Sequence, residues 1–210
     1  MSLLEITKGI LLLKVPFEDL YTSVFFVETA EGACVIDCAT TAHDVDTYIV
    51  PALRKLGWAP VRLLLTHSHG DHAGGAARLL ECYPTMTVHT LEPMTLPQFS
   101  VLSDGEVIGE CLQAVALQGH SAYSLGYLHL PSRTLLSGDC LQLAGVGKYV
   151  NGIKYPDRYL RSIEALKSME IDRIVASHDY VPLGYLAEGR DAVARYLDTC
   201  AQICMRKKGE

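Results

Sequence analysis

Residues 66–72 read Thr-His-Ser-His-Gly-Asp-His, and this stretch constrains the fold more than any other in the chain. Three imidazoles and one carboxylate fall within six residues. An apolar run precedes them at 61–65 and a run of small residues follows at 73–77. A strand, a polar turn and the start of a helix therefore bracket the cluster. Because α/β sheets carry their chemistry at the carboxyl ends of strands, the pattern predicts a functional site there.

The residue types within this stretch indicate a metal. Neutral imidazole and carboxylate are ligands of first-row divalent ions. His67 and His69 are two residues apart, so in an extended chain they point to the same side. Asp71 and His72 follow where the chain turns into a helix, and Gly70 permits that turn. The alternative is a solvated polar loop that is merely rich in His, and three His plus Asp at this spacing disfavour it.

Length and composition favour one globular domain over residues 1–210. Hydrophobic residues make up 49% of the 210 residues and charged residues 20%, which excludes the disordered class. The formal net charge is −6 and no long basic run occurs. We therefore expect a small-molecule substrate and no nucleic-acid partner. The oligomeric state stays open.

The cysteines and the apolar runs bear on the cellular compartment. The chain has seven cysteines, an odd number, and no C-x-x-C pair, which favours a reducing environment over a disulfide framework. No signal peptide is recognisable at the N-terminus. No apolar stretch reaches the ~20 residues that span a bilayer. The sequence thus predicts a soluble, cytoplasmic protein without a membrane partner.

Hydrophobic periodicity gives a coarse order of elements. An antiparallel group of strands at 9–15, 24–28 and 33–37 opens the chain, and a helical region at 43–56 is broken near Pro51. Two packed sheets with helices outside would use every apolar face. The later expectations are a hairpin at 101–108 around Asp104 and Gly105, a hairpin at 125–136, a helix at 156–169, a last strand at 173–176 and a closing helix at 188–206.

Three further polar residues end apolar runs in the same way: His120, Asp139 and His178. Each has a small neighbour on its N-terminal side. Taken singly, each could be an ordinary turn or cap residue. If the strand ends converge, however, the site holds five His and two Asp, which suffices for two divalent ions that share a carboxylate.

Taken in order, the motifs at 66–72, 119–121, 137–139 and 177–179 resemble those of the metallo-β-lactamase superfamily of metallohydrolases. Within it, the chain looks like glyoxalase II or the lactonases, with no subfamily assigned. The resemblance implies an α/β fold, a four-layer αββα sandwich with the metal site at one edge. Two departures stand out: Ala39 occupies a position that is often Gly, and the stretch after Asp139 matches no subfamily signature.

The same resemblance implies a role for each ligand. His67, His69 and His120 would hold the first ion. Asp71, His72 and His178 would hold the second, and Asp139 would bridge the two. Asp37 would accept a hydrogen bond that orients the His loop. Two divalent ions are expected, with zinc ranked ahead of iron and manganese.

The function expected from this site is hydrolysis of a small ester, thioester or lactone by a metal-bridging hydroxide, with Asp71 as the catalytic residue that orients it or takes its proton. Lys148, Tyr149 and Tyr180 are candidates for substrate contact, and they could equally be ordinary loop residues. Two alternatives remain: a mononuclear iron oxidoreductase of the sulfur dioxygenase type, and a non-catalytic metal-binding protein on the same scaffold.

Overall fold

The computed structural model describes residues 3–141 and 152–209, the last three of these by their backbone only. The chain divides into an N-terminal unit, Met1–Ser103, and a C-terminal unit, Asp104–Glu210. Each unit is built on one β-sheet and carries helices.

Among residues 3–103, seven strands form one sheet in the order β1 to β7. The strands β1 to β4 are antiparallel, and β5 to β7 continue the sheet in parallel with β4. The bounds are β1 Leu3–Thr7, β2 Ile10–Phe17, β3 Leu20–Thr29, β4 Gly32–Ile36, β5 Pro60–Leu64, β6 Thr87–Thr90 and β7 Phe99–Val101.

The helices of this unit lie in the two connections that flank β5. They are α1 Ala42–Asp44, a π-helical turn Val45–Ile49, α2 Val50–Leu56, α3 Gly70–Ala73 and α4 Ala76–Cys82. Pro51 stands in the first turn of α2, where it has no amide hydrogen to leave unsatisfied. Gly57 ends α2 in the left-handed conformation, with φ +67°. The predicted break near Pro51 is therefore a widened turn that continues directly into α2.

The apolar core of the N-terminal unit joins β2 to β6 with the π-helical turn, α2 and α4. Leu12 and Leu13 of β2 and Phe25 and Phe26 of β3 are neighbours in sequence that point to opposite faces of the sheet, and all four are buried. These strands are therefore covered on both faces, which explains why they read as continuous apolar runs.

In the C-terminal unit, six strands among the described residues form a sheet in the order β13-β12-β11-β10-β9-β8. The helices α5 and α6 share a core with this sheet, which includes Tyr159 and Tyr196. The bounds are β8 Val107–Ile108, β9 Leu112–Ala116, β10 Leu125–His129, β11 Thr134–Gly138, α5 Pro156–Lys167, β12 Arg173–Ala176, β13 Leu186–Glu188 and α6 Arg190–Gly209.

Strand direction decides where the polar strand ends of this unit lie. Because β9 and β11 are each antiparallel to β10, they run the same way, and β12 is parallel to β11. The carboxyl ends of β9, β11 and β12 therefore meet at one edge of the sheet. His120, Asp139 and His178 follow those three strands.

Two sequence-based expectations are wrong. Residues 101–108 do not form a hairpin: β7 pairs with β6 in the N-terminal unit, and β8 pairs with β9 in the C-terminal unit. The turn signal at Asp104 and Gly105 marks the change from one sheet to the other. Residues 173–176 are also not the last strand, because the short β13 pairs with β12. The sequence pattern also missed β1, whose side chains are only partly covered.

Within the described residues, no helix has both the length and the apolar character that crossing a membrane requires. The 20-residue helix α6 has the length, but polar residues interrupt it throughout.

Gly119 fixes the approach of the His120 loop to helix α5. Its φ is +149°, and a Cβ added there would lie 2.6 Å from Tyr159 Cβ and 2.7 Å from Tyr159 Cα. The second of these atoms belongs to the backbone and cannot turn away. Only glycine therefore fits between the strand end and the helix.

We expect Gly119→Ala to lower the free energy of unfolding by about 2–4 kcal/mol, because strain and a backbone clash combine. Gly189→Ala is the matched control. Gly189 also has a positive φ, +88°, but a Cβ added there would have no atom within 4 Å, so about 1 kcal/mol is expected. Urea unfolding of both variants measures the difference, and equal losses would contradict the close approach at Gly119.

Candidate metal centre

The N-terminal part of the site forms where two parallel strands end side by side. Asp37 directly follows β4, and its backbone amide donates to the carbonyl of Leu64, the last residue of β5. Thr66 and His67 follow two and three residues later. The parallel register, which pairs Ile36 with Leu64, therefore places the Asp37 carboxylate beside the start of the His-rich loop.

The carboxylate of Asp37 is fully buried and receives hydrogen bonds from two residues of the loop. The backbone amide of Thr66 donates to Oδ1 at 2.8 Å, and the Thr66 hydroxyl lies 2.9 Å from Oδ2. His72 Nδ1 lies 2.7 Å from Oδ2. Since a carboxylate only accepts, it fixes the Nδ1–H tautomer of His72 and turns the Nε2 of that ring toward the cluster.

The polar residues of the loop form a tight group around this anchor. The ring centroid of His67 lies 4.5 Å from that of His69 and 4.2 Å from that of His72. The Nε2 atom of His72 lies 3.2 Å from Asp71 Oδ2. His67 and His72 are buried, whereas His69 and Asp71 are half-buried. Within the loop, the donor atoms of His67 and His69 lie within 4.8 Å of each other, as do those of Asp71 and His72, which is close enough for each pair to share an ion.

The turn at residues 37–40 is hydrogen-bonded to the helical turn that carries His72. The backbone amide of Cys38 donates to the carbonyl of His72 at 2.7 Å, and its thiol lies 3.2 Å from the same oxygen. Burial, followed by the nearby Asp37 carboxylate, raises the pKa of the Cys38 thiol well above its ordinary value. Cys38 therefore acts as a neutral donor that holds the loop and not as a nucleophile.

Ala39 lies in the same turn with φ +60°, a left-handed conformation that glycine adopts without strain. The structure therefore gives a physical reason for the glycine expected at this position. Gly75 packs under the turn so closely that a Cβ there would lie 2.2 Å from the Cys38 carbonyl oxygen.

In the C-terminal unit, Asp139 lies between two imidazoles. Its Oδ2 is 3.5 Å from His120 Nε2, and its Oδ1 is 3.3 Å from His178 Nε2. All three residues are buried. The parallel ends of β9, β11 and β12 thus bring together the three residues that the sequence predicted as distant ligands.

His120 is held from its other ring nitrogen. Its Nδ1 lies 2.6 Å from the carbonyl oxygen of Gly152, and a carbonyl only accepts. The ring is therefore the Nδ1–H tautomer, and Nε2 is the nitrogen that faces Asp139. The amides of Lys154 and Tyr155 both donate to the Gly119 carbonyl, so the segment before α5 is tied to the His120 loop.

Contact with substrate stays a prediction for Tyr180, Lys148 and Tyr149, and the structure describes only the first of them. Tyr180 is 9% exposed, and its ring centroid lies 5.7 Å from that of His178, so it stands beside a predicted ligand. Lys148 and Tyr149 lie outside the described residues, and their contact with substrate stays a prediction.

Sequence reasoning missed two groups that lie within hydrogen-bond distance of imidazole nitrogens, one at His67 and one at His120. The hydroxyl of Thr66 lies within the motif, but its residue type gave no reason to assign it a role. The carbonyl of Gly152 left no signal in the sequence, because every residue carries a carbonyl. Both lie on the side of the imidazole that faces away from the predicted ligand cluster.

The donor chemistry fits divalent metal ions. The imidazoles of His72 and His120 are each fixed by Nδ1 and point Nε2 at a carboxylate. Outer hydrogen bonds of this kind set the tautomer and raise the basicity of metal-binding histidines. Imidazole nitrogens and carboxylate oxygens without thiolates match zinc, iron or manganese.

Comparison with known proteins decides the family. A model described as "Metallo-beta-lactamase superfamily" matches residues 18–178, a span that includes all seven predicted ligands. The chain belongs to the metallo-β-lactamase superfamily. The predicted membership and α/β fold class are confirmed, and members of this superfamily bind divalent metals.

Among curated proteins, a hydroxyacylglutathione hydrolase of Salmonella dublin is 31% identical over 169 residues. The match covers 78% of the chain and 63% of the relative. The chain therefore spans less than two thirds of the length of this relative.

Two solved structures show the same fold at low identity. A metallo-β-lactamase HARLDQ-motif mutant from Cronobacter sakazakii aligns with a TM-score of 0.73 at 18% identity, over 100% of this chain and 97% of that one. Rubredoxin oxygen:oxidoreductase from Desulfovibrio gigas aligns with a TM-score of 0.76 at 16% identity, over 97% of this chain and 62% of that one. One fold thus serves a lactamase and an oxidoreductase, so the fold alone does not select the reaction.

We expect Asp37→Asn to lower the free energy of unfolding of the metal-free protein by about 1–3 kcal/mol. An amide offers one acceptor oxygen where donors now converge on two, so its NH₂ group meets a buried donor. Asp104→Asn is the control, because the exposed Asp104 accepts one backbone hydrogen bond from Ala116 that an amide oxygen can keep. Urea unfolding in the presence of chelator should leave this control within about 0.5 kcal/mol of wild type. Similar losses in both variants would be evidence that the Asp37 carboxylate does not stabilise the loop at residues 66–72.

Proposed function

We propose that the protein is a dinuclear metallohydrolase that cleaves a small ester, thioester or lactone. The observation that carries this proposal is the complete set of nitrogen and oxygen donors at the strand ends, with their rings already turned by hydrogen bonds at Nδ1. His67, His69 and His120 would hold one ion, and Asp71, His72 and His178 the other. Asp139 would serve both, since its two oxygens face different imidazoles.

When bound, divalent ions of this kind act as Lewis acids that activate water and polarise a carbonyl group. The carboxylate of the loop, Asp71, is half-buried and keeps some exposure to solvent. It would orient the attacking water and accept its proton. The buried Asp37 has a different task, because its carboxylate accepts hydrogen bonds from Thr66 and His72 and has no exposed surface.

The relatives support hydrolysis without fixing a substrate. The Salmonella dublin relative is named for the hydrolysis of a hydroxyacylglutathione, and we propose a substrate of the same general kind, a small molecule with an activated acyl group. Tyr180, beside His178, would contact it, together with Lys148 and Tyr149. A cytoplasmic location, zinc as the metal, a single functional domain and the absence of a nucleic-acid or membrane partner are parts of the same proposal.

The protein purified with zinc should contain two ions per chain and hydrolyse at least one member of an ester, thioester and lactone panel. His69→Ala and Asp139→Ala should each lose metal and lower kcat/KM on the order of 100-fold or more, because each removes a direct ligand. Elemental analysis by mass spectrometry measures the metal, and initial rates measure the activity.

His43→Ala is the matched control for these variants, because His43 is exposed on α1 and its ring contacts Thr47 instead of the site. It should keep both metal and rate. Full metal content and activity in His69→Ala and Asp139→Ala would refute the dinuclear site. One iron per chain with oxygen consumption on a persulfide would replace hydrolysis by the oxidoreductase alternative. A metal-replete protein that is inert on the whole panel would favour a binding protein.

A further inference from the structure

The hydroxyl of Thr66 lies between a buried carboxylate and a buried imidazole. Its Oγ1 is 2.9 Å from Asp37 Oδ2 and 3.1 Å from Asp37 Oδ1. The same atom is 3.0 Å from His67 Nδ1. All three side chains have no exposed surface, so water does not compete for these contacts and the direction of each hydrogen bond matters.

A count of hydrogens settles those directions. A hydroxyl has one hydrogen to give and two lone pairs with which to accept, whereas a carboxylate only accepts. The Thr66 hydrogen therefore points at Asp37, and the remaining contact requires His67 Nδ1–H to donate to Thr66. The reverse arrangement would set the hydroxyl lone pairs against both carboxylate oxygens at about 3 Å, which is repulsive in a buried site.

We infer that Thr66 is a positioning residue that holds neutral His67 as its Nδ1–H tautomer. The Nε2 lone pair of His67 is then the one presented to a metal ion, a consequence that rests on the proposed function. The tautomer itself does not rest on it, because the hydrogen-bond chain from His67 through Thr66 to Asp37 lies wholly within the protein.

The chain also links two ligands to one anchor. Asp37 accepts directly from His72 Nδ1 at 2.7 Å and indirectly from His67 through Thr66. In the proposed ligand set, these two rings belong to different ions. Loss of the Thr66 hydroxyl would therefore release one ring and leave the direct bond between Asp37 and His72 in place.

The first test reads the tautomer in the metal-free protein. Long-range ¹H–¹⁵N NMR correlations on the wild-type protein with chelator present, at a pH where imidazole is neutral, report which ring nitrogen of His67 carries the hydrogen. We expect Nδ1–H for His67 in the wild type and in Thr66→Ser, which keeps the hydroxyl. In Thr66→Val, we expect His67 to shift toward Nε2–H while His72 stays Nδ1–H.

The second test measures affinity for Zn²⁺ by competition with a chromophoric chelator. Thr66→Val should weaken one of the Zn²⁺ binding steps ~10–100-fold, and Thr66→Ser should restore it. Thr90→Val is the matched control, because Thr90 is another fully buried threonine at the end of a strand in the same sheet. Its hydroxyl lies outside the Asp37 hydrogen-bond chain, so wild-type affinity is expected.

Two results would overturn the role inferred for Thr66, and a third would separate that role from the proposed function. An Nε2–H tautomer for His67 in the wild type would overturn it, even if Thr66→Val fails to fold. Equal Zn²⁺ affinity in Thr66→Val and Thr66→Ser would also overturn it. If wild-type His67 shows Nδ1–H and Zn²⁺ binds as expected but no substrate is hydrolysed, the inference stands and the proposed hydrolase function fails.

Discussion

The parallel pairing of β4 with β5 is the constraint on which the site depends. It brings Asp37, the first residue after β4, against the residues that follow β5. The Asp37 side chain is fully buried there. A carboxylate in such a position is stable only when donors surround it. The loop supplies them from Thr66 and His72. The need to satisfy one buried charge therefore determines how the His-rich loop folds before any ligand is considered.

The C-terminal unit reaches a similar result by strand direction. The strands β9 and β11 are both antiparallel to β10, and β12 is parallel to β11, so β9, β11 and β12 run in the same direction. Residues that are far apart in sequence, His120, Asp139 and His178, consequently meet at one sheet edge. Asp139 then sits between two imidazoles. Both units thus obtain their polar groups from strand ends, where the chain leaves the hydrogen-bonded ladder and side chains can converge.

The sequence predicted the strand-end positions of the polar residues well, because runs of apolar residues that stop at a polar one are a local signal. It predicted the family for the same reason, since the motif at residues 66–72 is local and specific. It failed where the outcome depended on pairing: residues 101–108 read as a hairpin, but their two strands join different sheets. It also could not assign Thr66 or the Gly152 carbonyl, because their roles arise only when distant segments meet.

The close approach at Gly119 has a consequence for how this protein can change over evolution. A clash with a large side chain can be relieved by a smaller residue in the partner. Here the nearest atoms include the Cα of Tyr159, which every substitution at position 159 would retain. No single replacement in α5 can compensate for a larger residue at 119. Lineages that diversify the segment before α5 are thus expected to inherit this glycine unchanged, together with the distance between the helix axis and the His120 loop.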